Sequence, residues 1–498
     1  MNFLKALTPQ PFRKILLFLI LIEVLSFLGY FFPAVNVICF WLAVVLALWA
    51  TLNSLENGFY LILLELINGV NGYYFHLSFN GVDVSLRIAL FLIVIGVWLH
   101  RFIFKNRFKT EIFRSQLVKP LSVFAVFILW GFVRGLIHGH SFDNIFFDFN
   151  NWLYFALIFV FFDVVRREKV IHNILHILAA SLANLGIKTM FLFYVFSHGY
   201  KILAGPLYNW MRPWRLGEIT ALPQGIFRVF IQSQIYCLIG LFLFLIIWLL
   251  LRKKDVSRID GLLIFIVLFV AVLLVSFSRS FWLAAILVFL VLLIFLKFFE
   301  KNKWKEVGFV CLAMLLLAVI AISFLTLLLN APLLDRPLNY LAALGSRTDD
   351  SGSAILSRKE QFLPLMKEIM TNPIVGSGFG ATITYRSFDP RAIEKYQGIY
   401  TTYAFEWGYL DMWLKFGLAG LLAYLYFIFS VLKRGWQATR KNNREAKFLI
   451  IGLGLGLLAI LVINIFTPYL NHPLGIGYLI LCAAIFDCFY RRWDIDIK

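Results

Sequence analysis

The sequence is poor in charged residues and poorest in acidic ones. Only 15% of its 498 residues are charged, and 27 Asp and Glu stand against 46 Lys and Arg, a formal net charge of +19. Hydrophobic residues make up 61% of the chain, whereas ordinary globular domains contain about 45–50%. Because no hydrophilic stretch is long enough for a separate soluble domain, we predict one membrane domain over residues 1–498.

Motifs for metals, disulfides and nucleotides are also missing. The five cysteines lie inside apolar runs without any CxxC spacing, so neither a disulfide framework nor a zinc site is indicated. The polar loops carry no cluster of His and Asp with metal-ligand spacing, and no glycine-rich Walker loop is present. We therefore predict no metal and no other cofactor.

Long apolar runs dominate what is present. Runs of about 18 residues or more are typical of transmembrane helices. The sequence predicts an all-α polytopic membrane protein with about 12–14 such helices. The candidate spans are 14–32, 34–52, 57–75, 84–104, 117–138, 147–165, 171–197, 229–251, 259–277, 280–299, 306–329, 407–432, 446–466 and 472–490.

The basic residues lie in alternate loops between these spans. In a soluble protein this net charge would suggest that the protein binds nucleic acid. Here the basic residues lie in short loops beside apolar spans, which is the positive-inside pattern of membrane proteins. We therefore predict no nucleic-acid partner, contact with membrane lipids, and both termini in the cytoplasm. The opposite, extracytoplasmic face then carries two long loops, 200–228 and 330–405. Long loops in compact domains are usually functional, so we expect the active site there.

Four arginines lie at the predicted outer membrane boundary: Arg134, Arg228, Arg279 and Arg358. A guanidinium group stays charged and can donate two parallel hydrogen bonds to the oxygens of one phosphate. Each could instead cap a helix or reach the lipid headgroups. Arg279 is the hardest to explain that way, because the positive-inside pattern disfavours a basic residue on this side. Together the four favour an anionic ligand such as a lipid-linked diphosphate.

Glu406 is the candidate base. Its carboxylate stands where the chain enters an apolar helix, and Tyr409, Leu410 and Trp413 are expected on its helix face. Beside phosphate-binding arginines it could take a proton from an attacking hydroxyl. The alternative is an acidic residue that merely favours the helix N-terminus.

The same outer region holds further candidates. Gly376, Gly378 and Gly380 follow Asn372-Pro373 and allow a close backbone approach. Asp411 and Lys415, four residues apart, are expected to neutralise each other. Candidate sugar or phosphate contacts are Arg134, Tyr403 and Arg386, although tyrosines are common at membrane interfaces.

Three segments carry a resemblance to a known family. They are SFSRSFWLAAILVFL (276–290), SRKEQFLPLMKEIMTNPIVGSGFG (357–380) and EWGYLDMWLKFGLAG (406–420). Together they resemble the O-antigen ligase/O-antigen polymerase superfamily of bacterial cell-envelope enzymes over about 145 residues. The arginine of GIFR, Arg228, is similar to one that precedes a span in that family.

The resemblance implies a GT-C-like membrane glycosyltransferase that works without metal and inverts the anomeric carbon. Such enzymes move a glycan from undecaprenyl diphosphate on the outer face of the inner membrane. Arg228, Arg279 and Arg358 would then bind the diphosphate, with Glu406 and Arg279 as catalytic residues. Candidate protein partners are a chain-length regulator and a flippase.

One departure from the family pattern separates the possible functions. Where the ligase motif has His-Asn, this sequence has Glu406-Trp407. This favours a polymerase, which joins repeat units of a surface polysaccharide, over a ligase, which delivers the glycan to lipid A-core or another acceptor. A lipid-glycan flippase is a more distant alternative. It predicts charges at mid-membrane, for which Glu23, Glu65 and Arg87 are the few candidates.

Overall fold

The structure, a computed structural model, describes residues 9–79, 82–105, 107–252, 259–299, 303–330, 332, 335–345, 353–388, 393–394 and 396–495. Within these ranges it is predominantly helical. Twelve helical segments are long and apolar enough to cross a membrane. The predicted class, an all-α polytopic membrane protein with about 12–14 spans, is confirmed.

The first half of the described chain contains nine helices and two β-hairpins. The helices are α1 (Pro9–Phe31), α2 (Pro33–Asn53), α3 (Leu55–Asn68), α4 (Leu86–His100), α5 (Val118–Ile137), α6 (Phe142–Leu153), α7 (Leu157–Val164), α8 (Glu168–Ser197) and α9 (Lys201–Met211). The antiparallel strand pairs are β1 (His76–Phe79) with β2 (Val82–Ser85), and β3 (Glu218–Ala221) with β4 (Phe227–Phe230).

The second half continues with long helices and one more hairpin. The helices are α10 (Ile235–Leu251), α11 (Ile259–Val275), α12 (Arg279–Phe299), α13 (Lys303–Leu327), α14 (Arg336–Gly345), α15 (Ser353–Ile369), α16 (Gly408–Lys441), α17 (Arg444–Ile463) and α18 (Pro473–Ile495). Strands β5 (Ile383–Arg386) and β6 (Ile399–Thr402) pair antiparallel. Buried apolar side chains of α8, α10, α17 and α18 form the centre of the bundle.

One of the predicted spans, 57–75, is shorter than a membrane crossing, and another, 259–277, lies at the lower limit of about 17 residues. Helix α3 has 14 residues and ends at Asn68, whereas the sequence predicted a span to residue 75. The segment NGVNG that follows is rich in turn-forming residues, and both Val70 and Gly72 adopt positive φ. The chain turns there and leads into β1. Helix α11 has 17 residues.

The helices run up and down, so the connections alternate between the two ends of the bundle. Hydrogen bonds join the connections at one end. Asn71 donates to the Arg215 carbonyl at 3.1 Å, and the Tyr469 hydroxyl donates to the Gln232 carbonyl at 3.0 Å. We call this end the loop face. It carries the three hairpins, α14 and α15.

The glycine-rich loop 372–380 packs into a break in α16. Gly417 interrupts that helix with φ 72°, and the amides of Leu418 and Ala419 donate to the carbonyls of Pro373 and Ile374 at 2.9 and 3.1 Å. In return, the Ser377 amide donates to the Leu414 carbonyl at 2.7 Å. Backbone groups at membrane depth need such partners, so the loop and the broken helix stabilise each other.

Positive φ explains the glycine spacing. Gly376, Gly378 and Gly380 have φ of 76°, 90° and 78°, a region that L-residues with a side chain disfavour. A Cβ on Gly378 would also collide with the backbone of Gly135 in α5. The loop therefore reaches α5 only because these positions lack side chains.

Candidate functional site

Glu406 lies on the loop face, two residues before α16 begins at Gly408. One carboxylate oxygen is 2.8 Å from Nε of Arg358, and the other accepts a hydrogen bond from Ser357 at 3.1 Å. The side chains of Glu406 and Arg358 are 36% and 23% exposed. The pair is therefore partly shielded but still open to a ligand.

The expectation that Glu406 lies on a helix face with Tyr409, Leu410 and Trp413 is wrong. Trp407, the residue before the helix, is non-helical with φ −85° and ψ 92°. The Trp407 indole donates instead to the Arg358 carbonyl at 3.1 Å. The loop geometry thus turns the carboxylate towards α15 and not along α16.

Gln361, a residue that no sequence pattern indicated, supports the position of Glu406 against α15. The side-chain oxygen of Gln361 accepts from the Glu406 amide at 3.4 Å, and its amide nitrogen donates to the Tyr385 hydroxyl at 3.0 Å. Ser357, Arg358 and Gln361 lie on one face of α15 by their spacing. That spacing is visible in the sequence, but nothing there shows that the face meets Glu406.

The surroundings raise the pKa of the Glu406 carboxyl above its usual value. Burial is the main cause. The charge of Arg358 and the hydrogen bond from Ser357 oppose the rise, whereas the nearby charge of Glu218 adds to it. Glu406 is therefore a stronger proton acceptor than an exposed glutamate.

Arg228 on β4 connects that hairpin to the turn before α12. Its Nε donates to the Ser276 carbonyl at 3.0 Å, and its Nη1 lies 3.7 Å from the Glu218 carboxylate. Arg279 is the first residue of α12 and is half-buried, as expected for a turn between two apolar spans. Arg228 and the turn before Arg279 therefore meet, and Glu218, beside Arg228, also contributes to the raised pKa of Glu406.

The remaining predicted contacts lie apart from this group. Arg134 donates to the Gly376 carbonyl at 3.3 Å and to the Asn372 side chain at 3.0 Å, so its guanidinium holds the glycine-rich loop. Arg386 lies on β5 with its guanidinium 5.7 Å from the Phe388 ring centre. Neither residue contacts Glu406 in this arrangement, and their role as sugar or phosphate contacts stays a prediction.

The pKa of the Tyr403 hydroxyl is influenced by a second group of charges. Burial raises the pKa of its hydroxyl, the Asp148 carboxylate adds to that rise, and the charges of Lys415 and Arg215 oppose it. Tyr403 is thus within electrostatic reach of α6, α16 and the loop before β3.

The second group is a buried ion cluster that the sequence predicted only in part. Lys415 lies 2.6 Å from Asp411, as expected, but also 2.6 Å from Asp148 of α6. Asp148 accepts from the Gly380 amide at 2.8 Å, and Asn471 donates to Asp411. Asp148 is 267 positions from Lys415, and no spacing pattern could have paired them.

The comparison with protein families covers part of this site. Residues 263–425 match the family model described as O-antigen ligase. The match includes the Arg279 turn, the glycine-rich loop and Glu406, whereas Arg134 and Arg228 lie before it. No protein of curated function matches the chain. This match supports the resemblance to the O-antigen ligase/polymerase superfamily that the motifs indicated, and with it transfer of a lipid-linked glycan.

Proposed function

We propose that the protein polymerises repeat units of a surface polysaccharide, each carried on undecaprenyl diphosphate. The observation that supports this most directly is the close pair of Arg358 and Glu406 on the loop face. In this pair a guanidinium, a group suited to phosphate, lies beside a candidate base. Arg228, which donates to the Ser276 carbonyl in the turn before Arg279, and Arg279 are the other two cations of the proposal.

The proposed reaction is an inverting displacement. A hydroxyl of one lipid-linked repeat attacks the anomeric carbon of the sugar on another carrier, and the new C–O bond forms as the bond to the diphosphate breaks. Glu406 accepts the hydroxyl proton. Arg228, Arg279 and Arg358 stabilise the charge that develops on the departing undecaprenyl diphosphate. When the donor binds, Arg358 turns to the diphosphate, which frees the Glu406 carboxylate for the proton.

The proposed location is the inner membrane of a bacterium, with the loop face extracytoplasmic. Basic residues support this orientation. Arg101, Arg166 and Arg491 lie in the opposite end of the bundle, where Arg166 and Arg491 both pair with Glu111. Both chain termini would then be cytoplasmic. Membrane lipids and a flippase or chain-length regulator are the expected partners.

A ligase is the second candidate, and it corresponds to the description that the matching family model carries. It would use the same site but deliver the glycan to lipid A-core or another acceptor. The chemistry at the donor is identical. Glu406-Trp407, in place of the His-Asn of the ligase motif, is the sequence feature that favours polymerisation.

The test is an assay of purified protein with a synthetic undecaprenyl-diphosphate oligosaccharide. A ladder of longer lipid-linked glycans from this substrate alone supports a polymerase. Transfer only after a separate acceptor lipid is added supports a ligase. Arg279→Ala should abolish transfer in both cases, and Lys359→Ala, an exchange beside Arg358 on α15, serves as the charge control. If neither condition gives product while the donor still binds, glycan transfer is refuted.

A further inference from the structure

A polar cavity lies between the hairpin loops and helices α4, α6 and α18. Its volume is about 470 Å³, within the range of ligand pockets. Its polar lining comes from distant parts of the chain and includes Tyr73, Arg87, Asn150, Asn151, Arg215 and His472. Among the described residues that line it, none is acidic.

Arg87 is the most unusual of these residues. It is 6% exposed, and its Nε lies 2.9 Å from the carboxylate of Glu65, which balances its charge. Its Nη2 is buried and has no hydrogen-bond partner among the described residues. A buried donor without an acceptor is costly and rare. Arg87 lines the cavity, so a ligand oxygen there would supply that acceptor once the guanidinium turns towards it.

Other lining groups also offer hydrogen-bond donors. Asn150 and Asn151 supply side-chain amides, and Arg215 contributes an exposed guanidinium that lies 5.2 Å from the ring centre of Tyr73. Donors, amides and an aromatic face together suit a saccharide, which carries many oxygens and an apolar ring face.

The cavity also borders the buried ion cluster. Asn150 and Asn151 follow Asp148 in α6, and His472 follows Asn471. Arg215 opposes the rise in the pKa of Tyr403 and lies three residues before Glu218 of β3. Arg228, Arg279 and Arg358 are not among the described residues that line the cavity, so a molecule in it would be held apart from the arginines assigned to the diphosphate.

We propose that this cavity binds the glycan of the acceptor substrate. The inference rests on the proposed glycan transfer, because that reaction needs a second saccharide whose hydroxyl reaches the donor sugar. Arg87 Nη2 and Arg215 donate to its hydroxyl or carboxylate oxygens. The donor diphosphate stays with Arg228, Arg279 and Arg358.

The experiment uses an acceptor that cannot act as a donor: the repeat-unit oligosaccharide as an alkyl glycoside without diphosphate. Initial rates of transfer are measured in nanodiscs while acceptor and donor are varied separately. Arg215→Ala should raise the KM of the acceptor at least tenfold and leave the KM of the undecaprenyl-diphosphate donor within twofold. Arg212→Ala, in the same loop but outside the lining, is the matched control and should change neither.

A double variant tests the buried part of the cavity. Arg87→Gln with Glu65→Gln removes both charges together, so no buried ion is left unpaired, and it should raise the KM of the acceptor in the same way. If both variants instead weaken donor binding, or if inorganic diphosphate competes with the alkyl glycoside, the cavity is a phosphate site and the proposal is refuted. Unchanged acceptor KM in both variants also refutes it.

Failure of the proposed function gives a different result. If the wild type transfers glycan to no acceptor, binding of the alkyl glycoside is measured by tryptophan fluorescence. If Arg215→Ala weakens this binding at least tenfold, the saccharide site is supported and only the proposed reaction is refuted. Equal binding by wild type and variant, or no binding at all, overturns the site itself.

Discussion

The buried ion cluster allows a quantitative prediction for Lys415→Met. The substitution leaves Asp148 and Asp411, whose side chains are 8% and 4% exposed, without their shared cation. Breaking a buried ion pair by removing one partner costs about 3–5 kcal/mol. Two carboxylates depend on this lysine, so we expect the free energy of unfolding to fall by an amount at the upper end of that range.

The assay is unfolding in mixed micelles with increasing SDS, followed by tryptophan fluorescence. The decisive control adds Asp148→Asn and Asp411→Asn to Lys415→Met, because neutral amides need no cation. This triple variant should recover most of the loss. A loss below about 1 kcal/mol in the single variant, or a triple variant that is no more stable than the single one, would refute the electrostatic reasoning.

Three further predictions follow from the loop face. Gly378→Ala should destabilise the fold by about 2–4 kcal/mol in the same assay, because the position has φ 90° and a Cβ would meet the Gly135 backbone. The control is Gly454→Ala, at an open helical site, which should be close to neutral. Transfer activity should rise with pH through a midpoint above the ordinary glutamate value of about 4.3, since burial raises the pKa of Glu406 and only its ionised form accepts a proton. Ser357→Ala removes a hydrogen bond that lowers this pKa and should move the midpoint to higher pH; an unchanged midpoint would contradict the assignment.

The sequence was sufficient to predict most of the fold. Apolar runs located the membrane helices, because helix burial in lipid depends mainly on composition and length. Helix α3 shows the limit. Its predicted span ran through the turn at Val70 and Gly72, since Val70 and the aromatic residues after it are as apolar as those of a helix.

The sequence predicted separate elements of the candidate site but not how they are arranged. The turn before Arg279 and the glycine-rich loop were recognisable because turns and positive φ require particular residues. The position of Glu406 relative to α16 was not recognisable, because the residue at which a helix begins depends on local backbone geometry. The residue type at Trp407 does not predict that geometry.

Partners from distant parts of the chain could not be predicted at all. Asp148 reaches Lys415 only through the packing of α6 against α16 and the glycine-rich loop. Gln361 likewise acquires its role only when α15 meets the segment before α16. Such pairs depend on tertiary structure, whereas composition and spacing report local structure.

The most direct test of the central claim is the transfer rate of Glu406→Gln with a synthetic undecaprenyl-diphosphate substrate in the absence of divalent metal. Glutamine keeps the size of the side chain and can still accept from Ser357 but cannot take up a proton. We predict a fall in kcat of at least a hundredfold, with donor affinity within a few-fold of the wild type. A Glu406→Gln protein that retains transfer close to the wild-type rate would contradict the role of Glu406 as the base.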